Sequence, residues 1–234
     1  MYHSITFGEK NTWDDWHLIP KSRPVFNPPA VKTRFVEIPG GNGSLDLTSA
    51  LLGRAVYKNR TGSFEFIVEN GFKEWSVLYS EITNYLSGKR LKAILEDDPN
   101  YYYEGRFTVN EWKSEANWSS IVIDYDVKPY KKNIISSGDD WLWDTFNFET
   151  DVIRSYENLP VTDSLSVTII GDSMPVSPTI IVSSEGMTVT FEGETYALSK
   201  GTNYIPELIV HDGENVMVFT GTGTVTIKCE RGRL

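Results

Sequence analysis

The chain has 234 residues, 40% of them hydrophobic and 23% charged, with a formal net charge of −10. That length suits two domains of common size or one large β-rich domain, and the composition is that of an ordinary globular protein. The acidic excess, which lies in the C-terminal part, argues against nucleic-acid binding by that part, no apolar run approaches the ~20 residues that span a bilayer, and a single cysteine, Cys229, excludes an internal disulfide.

Met1 to Trp16 reads as a first strand and turn. Its opening residues carry no apolar signal core, so Sec-type export is not expected. Asp14-Asp15 between Trp13 and Trp16 reads as a polar turn flanked by core or interface tryptophans; a metal or sugar site is the alternative. His17 to Gly43 is proline-rich, with Pro20, Pro24, Pro28, Pro29 and Pro39. Prolines at this density remove backbone donors and fix φ, so the segment is neither helix nor central strand. Val31 to Ile38 can pair only briefly, as an edge strand. The segment also carries Leu18, Ile19, Val25, Phe26, Phe35 and Val36, more apolar surface than a solvated loop exposes. Two readings stand: an arm that docks on a neighbouring subunit, with these six as interface anchors, or a loop packed on its own domain.

Gly43 to Gly53 has breakers at each end and room for a turn of helix. Ala55–Gly62 and Ser63–Glu69 read as two strands joined by a hairpin turn over Asn59–Gly62. The segment 72–87 places Trp75, Leu78, Tyr79, Ile82, Tyr85 and Leu86 on one helical face, and Gly88 stops it. Three strands follow: Lys89–Glu96, Tyr101–Trp112 and Trp118–Pro129. In the last, Ile121, Ile123, Tyr125 and Val127 alternate with Val122, Asp124, Asp126 and Lys128, so one face points to a core.

Up to Lys132 there are 17 Lys+Arg against 17 Asp+Glu; from Asn133 onward there are 5 against 15. All excess charge lies in the second part, which supports domains at 1–132 and 151–234 joined by a strip at 133–150. In that strip Trp141, Trp143, Phe146 and Phe148 read as an edge strand or packing strip, with a carbohydrate platform as the alternative. From Asp151 to Leu234 short strands alternate with turns, the pattern of a β-sandwich: Leu165–Ile170, Pro178–Ser183, Met187–Glu192, Thr195–Leu198, Leu208–His211, Asn215–Thr220 and Gly223–Cys229. Cys229 continues the alternation of Val225 and Ile227, as a buried structural thiol does.

No catalytic, cofactor or metal constellation stands out. His3, His17 and His211 are far apart and none has metal-ligand spacing. There is no phosphate-cradling glycine loop, no nucleophile elbow and no Ca²⁺ loop. The pairs Asp124/Asp126 and Asp139/Asp140 read as solvated surface rather than as a glycosidase acid and base. Beyond Trp143 there is no tryptophan, and Tyr156, Tyr196 and Tyr204 show no sugar-binding spacing.

The order of parts nevertheless carries a resemblance. The helix around Trp75–Leu86, then Gly88, Asp97-Asp98, the aromatic Tyr102-Tyr-Glu-Gly-Arg-Phe107 and the closing Tyr125-Asp-Val-Lys-Pro-Tyr130 form one set. Met174-Pro-Val-Ser-Pro-Thr-Ile180, Gly213-Glu-Asn-Val-Met-Val-Phe-Thr-Gly-Thr-Gly-Thr-Val-Thr-Ile227 and the ending Arg231-Gly-Arg-Leu234 form another. Together they resemble the distal tail proteins (Dit) of long non-contractile-tailed phages of Gram-positive hosts, over nearly the whole chain, best over 72–132 and 174–234. The resemblance implies a mainly β protein: a β-sandwich or split-barrel-like N-terminal domain with one α-helix, and a galectin-like C-terminal β-sandwich. It implies a homohexameric ring at the phage tail tip, made in the host cytoplasm and part of the virion. That ring would join the tail tube protein to the tail-associated hub protein, pass DNA without binding it specifically, and dock receptor-binding or baseplate parts on its second domain. It implies no enzyme activity, no cofactor and no membrane insertion. The rivals are a carbohydrate-binding adhesion module on host cell-wall glycans and a glycan-cleaving enzyme.

Overall fold

The computed structural model describes residues 3–50, 53–68, 74–114, 119–134 and 156–234. The predicted aromatic strip 141–148 and the Asp139/Asp140 pair lie outside them. The described residues are mainly β with one helix, and the chain divides into two compact units, Met1–Lys131 and Lys132–Leu234.

Unit 1 contains β1 (Ile5–Phe7), β2 (Lys10–Asn11), β3 (Leu18–Pro20), β4 (Phe35–Glu37), β5 (Ser44–Asp46), β6 (Arg60–Val68), α1 (Trp75–Leu86), β7 (Leu91–Leu95), β8 (Tyr101–Ser114) and β9 (Ser119–Val127). Seven of these strands run side by side, each pairing antiparallel, in the order β2-β1-β7-β8-β9-β6-β3 within a nine-stranded sheet. The alternation read in β9 holds: Ile121, Ile123, Tyr125 and Val127 are buried, and Asp124 and Asp126 point the other way, where Asn59 donates to Asp126 at 2.7 Å. The helix forms because its apolar residues recur at three-and-four spacing. Leu78, Ile82 and Leu86 are fully buried, and Trp75, Tyr79 and Tyr85 pack beside them. Each such burial contributes about 1.5–3 kcal/mol. Gly88 at φ +74° ends it, and Arg106 donates to the Gly88 carbonyl at 2.9 Å. Tyr85 ties the helix to the first turn, donating to Phe7 O at 2.9 Å and accepting from Glu9 N at 3.0 Å.

The hairpin turn expected over Asn59–Gly62 is not there. Arg60, Thr61 and Gly62 pair with Val127, Asp126 and Tyr125, so the ladder runs straight through as β6. Gly62 is needed for room rather than for a turn: a Cβ on it would sit 2.5 Å from the Tyr125 hydroxyl and 2.6 Å from Asn27 Nδ2. The Asp14-Asp15 segment is a turn. Asp15 accepts from Lys10 Nζ and from Asn11 N, and Trp16 fills the core behind it.

The strand β10 (Lys131–Asn133) leads into unit 2, where Asn133 N donates to Arg231 O at 2.9 Å. Unit 2 then has β11 (Leu159–Gly171), β12 (Thr179–Val182), β13 (Met187–Phe191), β14 (Glu194–Leu198), β15 (Gly201–Tyr204), β16 (Gly213–Lys228) and β17 (Gly232–Arg233). Two predicted strands merge here. Gly221-Thr-Gly223, read as a turn, is an extended bend inside β16. Gly221 takes φ +125° and faces Asp163 at φ +65° in β11. At this bend β16 changes partner, pairing β13 through Met217–Thr220 and β12 through Val225–Lys228. Strands that bend from one layer to the next are how sandwich corners are made. The enclosed core includes Ile169, Ile180, Val189, Met217, Phe219, Val225 and Ile227, a β-sandwich-like arrangement. Cys229 is buried there, and burial pushes its thiol up to about 11. Leu208–His211 is not a strand; it makes one bridge, Val176 to Val210.

Candidate assembly interface

The proline-rich segment divides into two parts with opposite fates. The first part, Leu18 to Pro29, clamps onto its own unit. Leu18–Pro20 pairs with the edge of β6, and Lys21 N continues the bond to Glu65 O at 2.9 Å. Arg23 reaches Asp97 at 2.8 Å, and His3 meets the same carboxylate at 2.9 Å. Arg23, then His3, hold the Asp97 carboxyl below its usual range.

Phe26 is the bolt of this clamp. It stacks on Tyr103 at 3.9 Å and meets Phe64 at 5.0 Å and Tyr125 at 4.8 Å edge-on. Such ring pairs add about 0.5–1.5 kcal/mol each beyond burial. The next residue fixes the backbone. Asn27 N donates to the Tyr125 hydroxyl at 2.9 Å, and its side-chain amide donates to Thr61 O at 3.0 Å. Arg60 closes the clamp from within. Its guanidinium is buried and donates to Asn27 O at 3.0 Å and Pro129 O at 2.7 Å. Desolvation lowers its pKa from the ordinary arginine value.

The second part leaves the unit. After Lys32 N donates to Val56 O and Lys58 N to Ala30 O, β4 and β5 form a hairpin that pairs with no other strand among the described residues. Every residue from Ala30 to Asp46 is exposed. Phe35 is 56% exposed and Leu45 50%, with Val36 and Ile38 beside them in sequence, also exposed. A lone two-stranded hairpin is marginal in water, and this one exposes large apolar side chains beside its polar ones. The expected turn of helix in Gly43–Gly53 is reduced to turn bonds after β5, from Ala50 N to Leu47 O and Gly53 N to Ser49 O.

The six predicted anchors therefore part company. Leu18 and Phe26 fill their own core, Ile19 is half-buried at the sheet edge, and Val25, Phe35 and Val36 face solvent. Ile38 and Leu45 join the exposed set without having been singled out. Ile38 stood at the end of the expected edge strand, and Leu45 was masked by the helical reading of its segment.

The remaining sequence candidates do not converge. His3 binds Asp97, His17 lies 5.1 Å from the Trp13 ring, and His211 is exposed in unit 2. Among the described residues no group of three or more His, Cys, Asp or Glu could hold a metal ion, and no helix is long and apolar enough to cross a membrane.

The chain has a counterpart among solved structures. The fold is that of SPP1 Dit. The crystal structure of that protein (gp 19.1), a paradigm of the hub adsorption apparatus in phages that infect Gram-positive bacteria, matches along 100% of both chains, with a TM-score of 0.58 and 10% sequence identity. At that identity the likeness to Dit is one of fold. No protein-family model and no curated protein sequence matches the chain.

Proposed function

We propose that the chain is a structural distal tail protein of a long non-contractile-tailed phage. It forms a hexameric ring at the tail tip, joins the tail tube to the tail-associated hub protein, and offers unit 2 as a docking platform for receptor-binding or baseplate parts. The observation that carries this reading is the full-length likeness to SPP1 Dit, which spans both units. Two physical features support it. The exposed apolar hairpin of unit 1 calls for a partner surface, and the near-neutral N-terminal part with the acidic C-terminal part suits a conduit that must not retain DNA. The role is structural rather than enzymatic, and it places the protein in the virion.

Electron microscopy of the purified full-length protein at high concentration, with mass photometry beside it, tests this. Six-fold rings with an open centre are expected. A strict monomer under every condition would overturn the reading.

One observation favours the second reading, glycan binding by unit 2. Tyr204, 65% exposed at the edge strand β15, stands across from Thr179, which in turn pairs with Lys228. An aromatic ring among polar neighbours is the minimum a sugar needs. A glycan array probed with the full chain and with Tyr204→Ala separates the two readings.

A further inference from the structure

The arm must land somewhere, and unit 1 offers few places. Apart from Val25, Val31 and the hairpin itself, its exposed large hydrophobic residues among those described are Ile67, Val77 and Trp112. Ile67 lies on β6 across from Ile19 and Ser120, and Val77 is exposed on α1. Trp112 is different. It is 40% exposed at the far end of β8, stacks on Tyr79 at 4.7 Å and lies 5.1 Å from Trp75. Three large rings thus form a shelf where the first turns of α1 meet the sheet. Tryptophan and tyrosine in such clusters are the residue types that dominate protein interfaces.

We infer that this shelf, Trp112 with Trp75 and Tyr79, receives the β4–β5 hairpin of a second copy of this chain. The inference rests on the ring reading above and names the contact that builds the ring. Three observations carry it.

The first is chemistry. The hairpin brings Phe35, Val36, Ile38 and Leu45, all exposed, to a shelf on which Trp112 is exposed and Trp75 and Tyr79 are half-buried. The second is charge. Exposed Glu74 and Glu111 flank the shelf, the latter also paired with Lys113 at 2.9 Å, whereas exposed Lys32 and Arg34 flank the hairpin at its root, with Glu37 and Asp46 farther out.

Position is the third. The hairpin springs from Ala30–Lys32 against Val56–Lys58, just before the Arg60 end of β6. Trp112 pairs with Ile121, which pairs with Phe66, near the other end of β6. Six strand residues separate Arg60 from Phe66, roughly 20 Å. Donor and acceptor therefore lie at opposite ends of the sheet and are different surfaces. Such a contact is head-to-tail, and head-to-tail contacts close into rings when the rotation permits.

Complementation tests this on the full chain. Phe35→Ser breaks the donor and leaves the acceptor; Trp112→Ser does the reverse. Each variant alone is expected to lose self-association by roughly thirtyfold or more. An equimolar mixture is expected to regain dimers by mass photometry, because one good donor meets one good acceptor, yet to form no rings. A mixture as monomeric as its parts overturns the inference, as does a Trp112→Ser protein that assembles like the wild type; in the latter case the ring reading stands without it. A wild-type chain that never self-associates sinks the ring reading and this contact with it.

A second measurement holds should Trp112→Ser fail to fold. Ile38→Cys and Ser76→Cys, mixed and oxidised, are expected to give an intermolecular disulfide that neither gives alone. Assembled wild-type-like rings without that cross-link count against the shelf.

Discussion

Phe26 and Val25 are neighbours in sequence with opposite duties. Phe26 is packed among Tyr103, Phe64 and Tyr125, so Phe26→Ala should cost about 3–5 kcal/mol of unit 1 stability, the range for an emptied aromatic site. Val25 faces solvent, and Val25→Ala should stay within about 0.5 kcal/mol. Urea melts of the two variants check the pair; equal effects would mean the clamp is not where the stability lies. Asp97 gives a pH handle on the same clamp. Its folded pKa is lowered first by the Arg23 hydrogen bond and also by His3. A carboxyl that titrates lower when folded stabilises fully above its unfolded value of about 3.9, and that contribution fades as pH falls through the lowered folded value. Arg23→Ala should therefore raise the Asp97 pKa in an NMR titration and flatten the acid limb of the stability profile between about pH 4 and the folded value. At this scale the sequence is informative only in part. A phenylalanine among prolines announces an anchor, but whether the socket belongs to the same chain depends on Tyr103 and Tyr125, which lie 77 and 99 residues away in sequence.

Elements with a strong period are legible in the sequence; elements defined by their partners are not. The helix and β9 follow from spacing alone, since 3.6-residue and two-residue repeats each admit one face. The bounds of β6 and β16 do not. Both contain glycines that look like turns, yet Gly62 makes room for Tyr125 and Gly221 bends a continuing strand at a sandwich corner. Two turns of unit 2 that were legible hide a shared device. Asn203 donates to Ser199 O at 2.7 Å and Gly201 O at 3.0 Å; Asn215 donates to His211 O at 2.7 Å and Gly213 O at 2.9 Å, twelve residues later with the same spacing. The arm yields a prediction at this scale. Removing Leu18–Pro29 would strip the core, so the hairpin alone should be altered. Phe35→Ser with Leu45→Ser should leave the melting midpoint of unit 1 nearly unchanged, because both side chains are exposed, while self-association by sedimentation velocity is lost. Unchanged association would show that the hairpin is not the contact.

For the molecule as a whole, one short segment pairs an inward clamp with an outward hairpin. The clamp fixes the root of the hairpin, so the apolar side chains leave unit 1 from a defined point. In the proposed assembly that arrangement would reduce the ordering entropy lost, since the root is held within its own unit. The charge asymmetry was readable from composition; the division of the arm was not, because both of its halves are equally apolar. Unit 2 carries a consequence of a different kind. Its strands β11 and β16 pair over thirteen consecutive positions, through the bend at Asp163 and Gly221, so each belongs to both layers. Neither layer can then melt while the other persists, because opening one unzips the strand that the other depends on. Hydrogen exchange should see a single cooperative block: amides of Val167 and Met217 on one side of the bend and of Ile180 and Ile227 on the other should share one slowest rate, set by global opening. Two separate rates would mean that the bend acts as a hinge between independently breathing halves.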